Sequence, residues 1–400
     1  MSLGAERIVR MVDFEQAVKD CTGGQQKVKK RDYLPKGEIP IIDQGQSLIA
    51  GFTNDSESVY SGDLPIILFG DHTLIFKYVD FPFALGADGV KALSIHKGFE
   101  PKYLYYSWQS CRISSRGYSR HFKFLKEIRL PLIPLSEQKR IVEILDQADA
   151  LRKNRADADT KAARIVPALF YKMFGDPATN PNKWQLKPLS DHGAEVRYGL
   201  GQPPRNLEKG VPLIRATNIS CGRISRDSML YVDPNDVPAG RNAFLRADEV
   251  IVVRSGAYTG DVAQVTEEWK GAVAGYDLVI TPGDSLTGEF LETFLLTPHI
   301  QNGYFHNLKS RAGQPHLNAS QLSATPVPVI PRDKQDQFSG HVKSIRFLRN
   351  RWEDSNRRMN ILFEVLLHRA FSGDLTGKWR GAHMKELLVE MEAQTKYLDQ

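Results

Sequence analysis

Cysteine is nearly absent. The chain of 400 residues has three, Cys21, Cys111 and Cys221, too few for a disulfide-stapled scaffold and too far apart for metal-ligand spacing. Long apolar runs are missing as well. Nothing approaches the roughly 18 uninterrupted apolar residues of a membrane span, and the opening MSLGAERIVRMVDFEQ lacks the apolar core of a secretory signal. The expected setting is a reducing cytoplasm, with no membrane involved. Catalytic signatures are lacking too: there is no G-x-x-x-x-G-K-[ST] phosphate loop and no H-E-x-x-H zinc helix. Gly199 and Gly201 lie among prolines in RYGLGQPPRN, which makes a loop and not the start of a helix. DPATNPNKW at Asp176–Trp184 lacks the adjacent prolines and following aromatic of an amino-methyltransferase motif. Asp63, Asp71 and Lys77 lack the acid-x-Lys pair of a restriction-type nuclease, and His72 reads as a turn residue.

What the chain does have is ordinary core-forming composition, 41% hydrophobic and 25% charged residues, enough for two or three domains. Its net charge of +6 permits a polyanionic partner without requiring one. It also repeats itself. LPLIPLSEQKRIVEIL at 130–145 returns as VPVIPRDKQDQFSGHV at 327–342, with Pro131, Ile133, Pro134 and Gln138 answered by Pro328, Ile330, Pro331 and Gln335 at an offset of 197. Leu151, Arg152, Asp157, Leu169 and Phe174 continue the match to Leu348, Arg349, Asp354, Leu366 and Phe371. Both copies close with Gly-Asp and later Lys-Trp. Such a duplication has to be recognised before any fold is argued.

Texture alternates in step with the repeat. Between Gly37 and Tyr106, short runs such as IPII, LPIILF and TLIFKYV are separated by Gly, Asp and Asn, which reads as strands and turns. From Gln138 to Phe174, Ile141, Leu145, Ala148, Leu151, Ala158, Ala162, Ile165, Leu169 and Met173 follow three- and four-residue steps. That period predicts one long helix, capped at Ser136 and kinked at Pro167. Strand-and-turn texture resumes from Trp184 to Pro326. A second long helix follows, with Phe338, Val342, Ile345, Leu348, Trp352, Met359, Leu362, Leu366 and Ala370 on its stripe. A helix of 37 residues is about 55 Å long, and two such stripes cover each other most simply as an antiparallel coiled coil. Two independent domains, each packing its own helix, are the plainer alternative.

The segment before each proline-bracketed strand carries the charge. Arg112–Arg129 has six basic residues against Glu127 alone, with Tyr118, His121, Phe122 and Phe124 interleaved. Cations mixed with rings suit phosphates together with base edges or sugars. Its counterpart NLKSRAGQPHLNASQL shares Ser, Arg, Gly and then His: Ser115, Arg116, Gly117 and His121 against Ser310, Arg311, Gly313 and His316. Arginine can grip guanine and an amide can pair with adenine. The candidate nucleic-acid contacts are therefore Arg112, Arg116, Arg120, His121 and Lys123 in the first half, with Lys29, Lys30 and Arg31 as backbone-positioning cations. In the second half they are Arg205, Lys309, Arg311, Gln314, His316 and Asn318. No catalytic and no metal-binding residue is expected.

PLIPLSEQKRIVEILDQADAL at 131–151, PVIPRDKQ at 328–335 and AFSGDLTGKWR at 370–380 resemble the specificity (S) subunits of type I restriction-modification systems. The resemblance implies an α+β chain with a pseudo-twofold internal repeat, two strand-rich target-recognition domains being separated by two long antiparallel coiled-coil helices. The expected divisions are 1–132 and 177–327 for the target-recognition domains, 133–176 and 328–376 for the spacer helices, and 377–400 for an amphipathic tail. It further implies a non-catalytic reader of double-stranded DNA. Each domain would take one half of a bipartite asymmetric site, and the helices would set the gap. The implied partners are two modification (methyltransferase) subunits and the restriction (helicase-nuclease) subunits. S-adenosylmethionine, ATP and Mg would be bound by those partners and no cofactor by this chain. The recognition part of a related single-site restriction-methylation enzyme, or a coiled-coil scaffold joining two protein-binding domains, would share the layout.

Overall fold

In a computed structural model, residues 9–86, 89–111, 120–309 and 315–398 are described. The chain forms two compact units, Met1–Ala156 together with Ser355–Gln400, and Asp157–Asp354. Both long helices are therefore divided between the units.

The first unit holds an antiparallel sheet in the order Val18–Asp20, Val90–Ile95, Ile66–Gly70, Phe76–Val79. Its central strand reads IILFG and is buried at every position, because both of its faces are covered. Ile67 and Phe69 join one core with Trp108 and Phe122, whereas Ile66 and Leu68 join another with Ile42 and Phe83. This is the two-residue period of a strand buried on both sides. A second sheet runs Lys27–Val28, Ala84–Gly86, Ile39–Ile42, Gly51–Thr53. Helix Pro101–Ser110 starts on a proline, whose missing N–H costs nothing there, and buries Tyr103, Leu104 and Trp108. Against it pack Ile141, Val142 and Leu145 of the first long helix and Phe363, Leu367 and Ala370 of the second. Arg152 lies 4.3 Å over the Phe363 ring.

In the second unit the antiparallel sheet runs Glu195–Tyr198, Leu278–Thr281, Val250–Val252, Val262–Gln264, and a smaller one runs Leu230–Val232, Val211–Ile214, Val273–Ala274. Helix Gly288–Leu295 is buried throughout and N-capped by Thr287. Its Phe290 stacks on Phe170 at 5.7 Å, and Phe174 meets Phe338 at 5.3 Å, which joins parts of both long helices to the sheet. Buried Glu289 and Glu292 on this helix meet Lys343 and Arg346 of the second long helix.

Two expectations for the helices change. The first is not continuous: it runs Leu135–Ala162, breaks, and restarts as Ile165–Phe174. The restart leaves Pro167 in the first turn, where no i−4 donor is required, so the proline breaks the helix upstream and does not kink it. The stripe is buried only in part. Leu151 is 63% exposed, Leu362 54% and Leu348 44%, because the burial lies where each helix meets a globule's own helix. The tail is folded into Gly377–Ala382 and Met384–Leu398. It docks on the start of the first long helix: buried Arg380 donates through Nε to buried Glu137 Oε1 at 2.9 Å, and the Gln394 amide caps the Leu135 N–H at 2.9 Å.

One device joins helix to globule in both units. Gln138 and Gln335 are fully buried. Gln138 Oε1 accepts from the N–H of Glu100, which caps Pro101–Ser110, and its Nε2 donates to Ile133 O and Gly98 O. Gln335 Oε1 accepts from the N–H of Thr287, which caps Gly288–Leu295, and its Nε2 donates to Ile330 O and Ser285 O. Three bonds per amide nearly exhaust what a glutamine can make. Gln335→Leu deprives three backbone groups of their partner, two of them on the buried residues Thr287 and Ile330, and stability should fall by about 3 kcal/mol. Urea unfolding checks this, and a loss below about 1 kcal/mol would show that the junction relaxes around the gap.

Candidate nucleic-acid interface

The central strand of each larger sheet ends in a loop that the next basic segment crosses. In the first unit the His121 N–H donates to Asp71 O at 2.9 Å, and in the second the Leu317 N–H donates to Arg254 O at 2.8 Å. The two donating residues, His121 and Leu317, are both fully buried. Structure therefore pairs His121 with Leu317, and Arg120 with His316, one residue away from the match of the two histidines in the sequence. His121 is a correction to the expected contacts. It is 0% exposed, with Nδ1 3.0 Å from Asp71 O and its neighbours Phe122 and Leu125 in the core, so it offers no edge to a nucleic acid.

Asn318 is committed elsewhere too. Its Oδ1 accepts from the Gln321 N–H at 2.9 Å while Gln321 Oε1 accepts from the Asn318 N–H at 3.0 Å, a capping box that opens helix Ala319–Ser323. The oxygen that would pair with adenine is spent on the cap. Lys29, Lys30 and Arg31 are exposed around the turn Lys30–Asp32, and Arg120, Lys123 and Arg205 are exposed as well. Arg112, Arg116, Arg311, Gln314 and the side chain of Lys309 lie outside the described residues. Part of the positive balance of Arg112–Arg129 is cancelled in the fold, since Lys126 pairs with Glu15 at 3.3 Å and Arg129 with Asp13 at 3.4 Å. Lys77 is buried with Nζ donating to Asp43 O and Ser47 O at 2.6 Å each, and that burial lowers its pKa. It ties a loop to the sheet.

The cluster that sequence reasoning missed surrounds Arg254. The guanidinium lies 4.8 Å from the Tyr198 ring and 4.2 Å from the Tyr276 ring. One terminal nitrogen is 3.3 Å from His316 Nε2. Its Nε is buried and has no hydrogen-bond partner among the described residues. Tyr276 and the nearby Tyr258 are half exposed. Tyr198 Oη accepts from the Ala319 N–H at 3.1 Å, so the same ring fixes the start of the capped helix. Beneath them Asp277 is buried, and burial pushes its carboxyl up to about 6 even though its Oδ1 accepts from the Arg254 N–H at 3.3 Å. Arg254 follows the apolar run VIVV and opens RSGAYTG. A cation and a tyrosine in a Gly-Ser turn is a faint signal, without the local charge excess that marks Arg112–Arg129.

A model of the type I restriction modification DNA specificity domain matches residues 18–158. The chain is 22% identical over 276 residues to the type I restriction enzyme EcoKI specificity subunit of Escherichia coli (strain K12), covering 63% of this chain and 59% of that protein. It is 30% identical over 251 residues to the EcoR124I/EcoR124II specificity subunit of Escherichia coli, covering 57% and 60%. The chain thus spans about three-fifths of the length of the curated relatives it matches. Its fold is similar, at a TM-score of 0.61 and 16% identity, to the crystal structure of a type I restriction-modification system S subunit from M. genitalium, covering 92% of this chain and 98% of that one. No helix among the described residues is long and apolar enough to cross a membrane.

Asp277 gives the site a pH signature. Its folded pKa of about 6 lies above the ordinary aspartate value of 3.8, so between these values the folded protein binds more protons than the unfolded chain. The resulting stability is present below about pH 4 and is lost as pH rises through about 6. Asp277→Asn stays neutral throughout. Between about pH 4 and pH 7.5 the parent should lose on the order of 2 kcal/mol more than the variant in denaturant unfolding. Parallel pH curves would mean that the carboxyl titrates normally.

Proposed function

We propose that the whole chain is the DNA-reading subunit of a type I restriction-modification system, a reading supported by the match of residues 18–158 to a model of the type I restriction modification DNA specificity domain. Each strand-rich globule reads one half of a bipartite asymmetric site in double-stranded DNA, and the two long helices, packed antiparallel, set the distance between the halves. The observation that carries this reading is the repeated junction, in which Gln138 and Gln335 make the same three bonds to a strand end and to the cap of a globule's helix. Strand order supports an internal pseudo-twofold repeat. Glu195–Tyr198, Leu278–Thr281, Val250–Val252 and Val262–Gln264 follow the order of Val18–Asp20, Val90–Ile95, Ile66–Gly70 and Phe76–Val79. A duplicated reader whose contact residues differ is suited to an asymmetric site, since each copy can change its bases without altering the frame.

In this role the chain performs no chemistry. Methylation of adenine falls to two modification subunits carrying S-adenosylmethionine, and translocation and cleavage to restriction subunits using ATP and Mg. Leu151, Ile361, Leu362 and Val365 form exposed apolar positions on the long helices of the first unit, where a helical partner gains by covering them. The protein is expected to act in the cytoplasm.

The spacer role is tested by length. Seven residues inserted near Asp157–Lys161, and seven near Asp354–Arg358, lengthen both helices by roughly 10 Å while almost preserving the phase of their apolar stripes. At about 3.4 Å per base pair the gap should grow by up to about three base pairs, with both half-sequences unchanged. Methylome sequencing of cells carrying the variant and its modification subunit reads both quantities. Altered half-sequences with an unaltered gap would remove the helices from the role of ruler.

A further inference from the structure

We propose that Arg254 reads a guanine in the second half-site, docking its guanidinium edge on O6 and N7 in the major groove, with Tyr198 and Tyr276 holding it in that orientation. The assignment rests on the DNA-reading function proposed above and names the residue that gives the second globule its base preference.

Comparison of the two loops shows what Arg254 is free to do. At the same point of the frame the first globule has Asp71, whose carbonyl accepts from the His121 N–H and whose carboxylate accepts from the next N–H, that of Phe122, at 2.7 Å. That side chain is consumed in holding its own backbone. In the second globule the carbonyl bond is kept, Leu317 N–H to Arg254 O, but the next N–H, that of Asn318, is taken by Gln321 Oε1 at 3.0 Å. The Arg254 side chain is therefore not needed to satisfy that N–H. It nevertheless sits in a defined place, between two rings that are each more than a third exposed, with its own Nε shut away from solvent.

Arginines that serve the fold look different. Arg197, on the first strand of the same sheet, makes a forked pair with buried Glu249 at 2.7 and 2.8 Å, and Arg346 is paired with buried Glu292. The Arg254 guanidinium forms no such ion pair: it contacts two rings and an imidazole, while buried Asp277 feels its charge but is bonded to its backbone N–H. Stacking covers the flat faces of a guanidinium and leaves its edge for hydrogen bonding, and it removes rotamer freedom that binding would otherwise have to remove. The backbone is fixed on both sides, by Asp277 at the N–H and by Leu317 at the carbonyl. A rigid fork at the end of a sheet strand is the geometry that two-point recognition of guanine requires.

The test uses the complex purified through a tag on this chain and a library of randomised duplexes selected by binding. The parent should select two defined half-sequences. Arg254→Gln should lose a guanine at one position of one half, weakening binding to the parental site by roughly 10- to 100-fold, with the other half and the affinity for random duplex unchanged. Arg254→Lys keeps the charge but not the fork, and should lose the same guanine. A DNA-side arm covers the case in which the variants fail to fold: replacing that guanine by 7-deazaguanine should weaken binding of the unmodified protein. Equal loss on selected and random duplex would make Arg254 a phosphate contact and overturn the assignment, as would insensitivity to every guanine replacement in the selected site. If the parent selected no sequence at all, the DNA-reading function itself would fall, and the assignment with it.

Discussion

A buried side-chain amide holds each globule to its helix, and most of the fold follows from where that amide sits. Gln138 and Gln335 lie in the first turn of a long helix, just after a proline that keeps the preceding isoleucine extended. From there one amide reaches back to the carbonyl of that isoleucine and outward to the cap of a short helix in the globule. Buried amides are costly unless their bonds are made, and these are made three at a time. Glutamate could not donate and leucine could do neither. Strand end, long helix and globule helix are thereby fixed relative to one another at a single point. The prolines belong to the same economy: Pro131 and Pro328 sit in strands paired on one side only, to Arg10–Val12 and Leu186–Pro188, where a missing N–H is tolerated.

This explains why the repeated junction was legible in the sequence and the candidate contact surface was not. The junction is local, with Pro, Ile, Pro and Gln inside eight residues, so its recurrence at an offset of 197 is visible without a structure. Apolar periodicity likewise located the helices. It misjudged how far their stripes are buried, because Leu151, Leu348 and Leu362 satisfy the period but lie beyond the globule helices that cover their neighbours. Period reports which residues share a face, and only packing decides whether the face is covered. The break before Pro167 was half visible: the proline was recognised, but the helix avoids its penalty by restarting two residues upstream, where the ring falls in a permissive turn.

The contact residues were harder because they are assembled from distant segments. His121 and His316 look equivalent by motif, yet the backbone bonds to Asp71 and Arg254 show that a one-residue shift separates them. Such a shift exchanges a buried side chain, His121, for a partly exposed one, His316, since neighbours in an extended segment point to opposite sides. Charge excess drew attention to Arg112–Arg129, where Lys126 and Arg129 are in part neutralised by Glu15 and Asp13 from the start of the chain. It gave no hint of Arg254, whose setting needs Tyr198, Tyr276 and His316 from three other places in the sequence.

The two loops also show how two similar frames can differ safely. Each must satisfy two consecutive N–H groups where the basic segment crosses the sheet. The first does so with one carbonyl and the Asp71 carboxylate, and the second with one carbonyl and the capping side chain of Gln321, three residues away from the Asn318 N–H that it accepts from. Once the cap meets that demand, the position after the central strand is released from structural duty and can carry any side chain that the sheet end tolerates. Its new occupant brings a cation over a buried acid, and the raised pKa of Asp277 records that burial still outweighs the attraction of Arg254. A position relieved of framing, yet held in place by two rings, can change its outward contacts without disturbing what is folded.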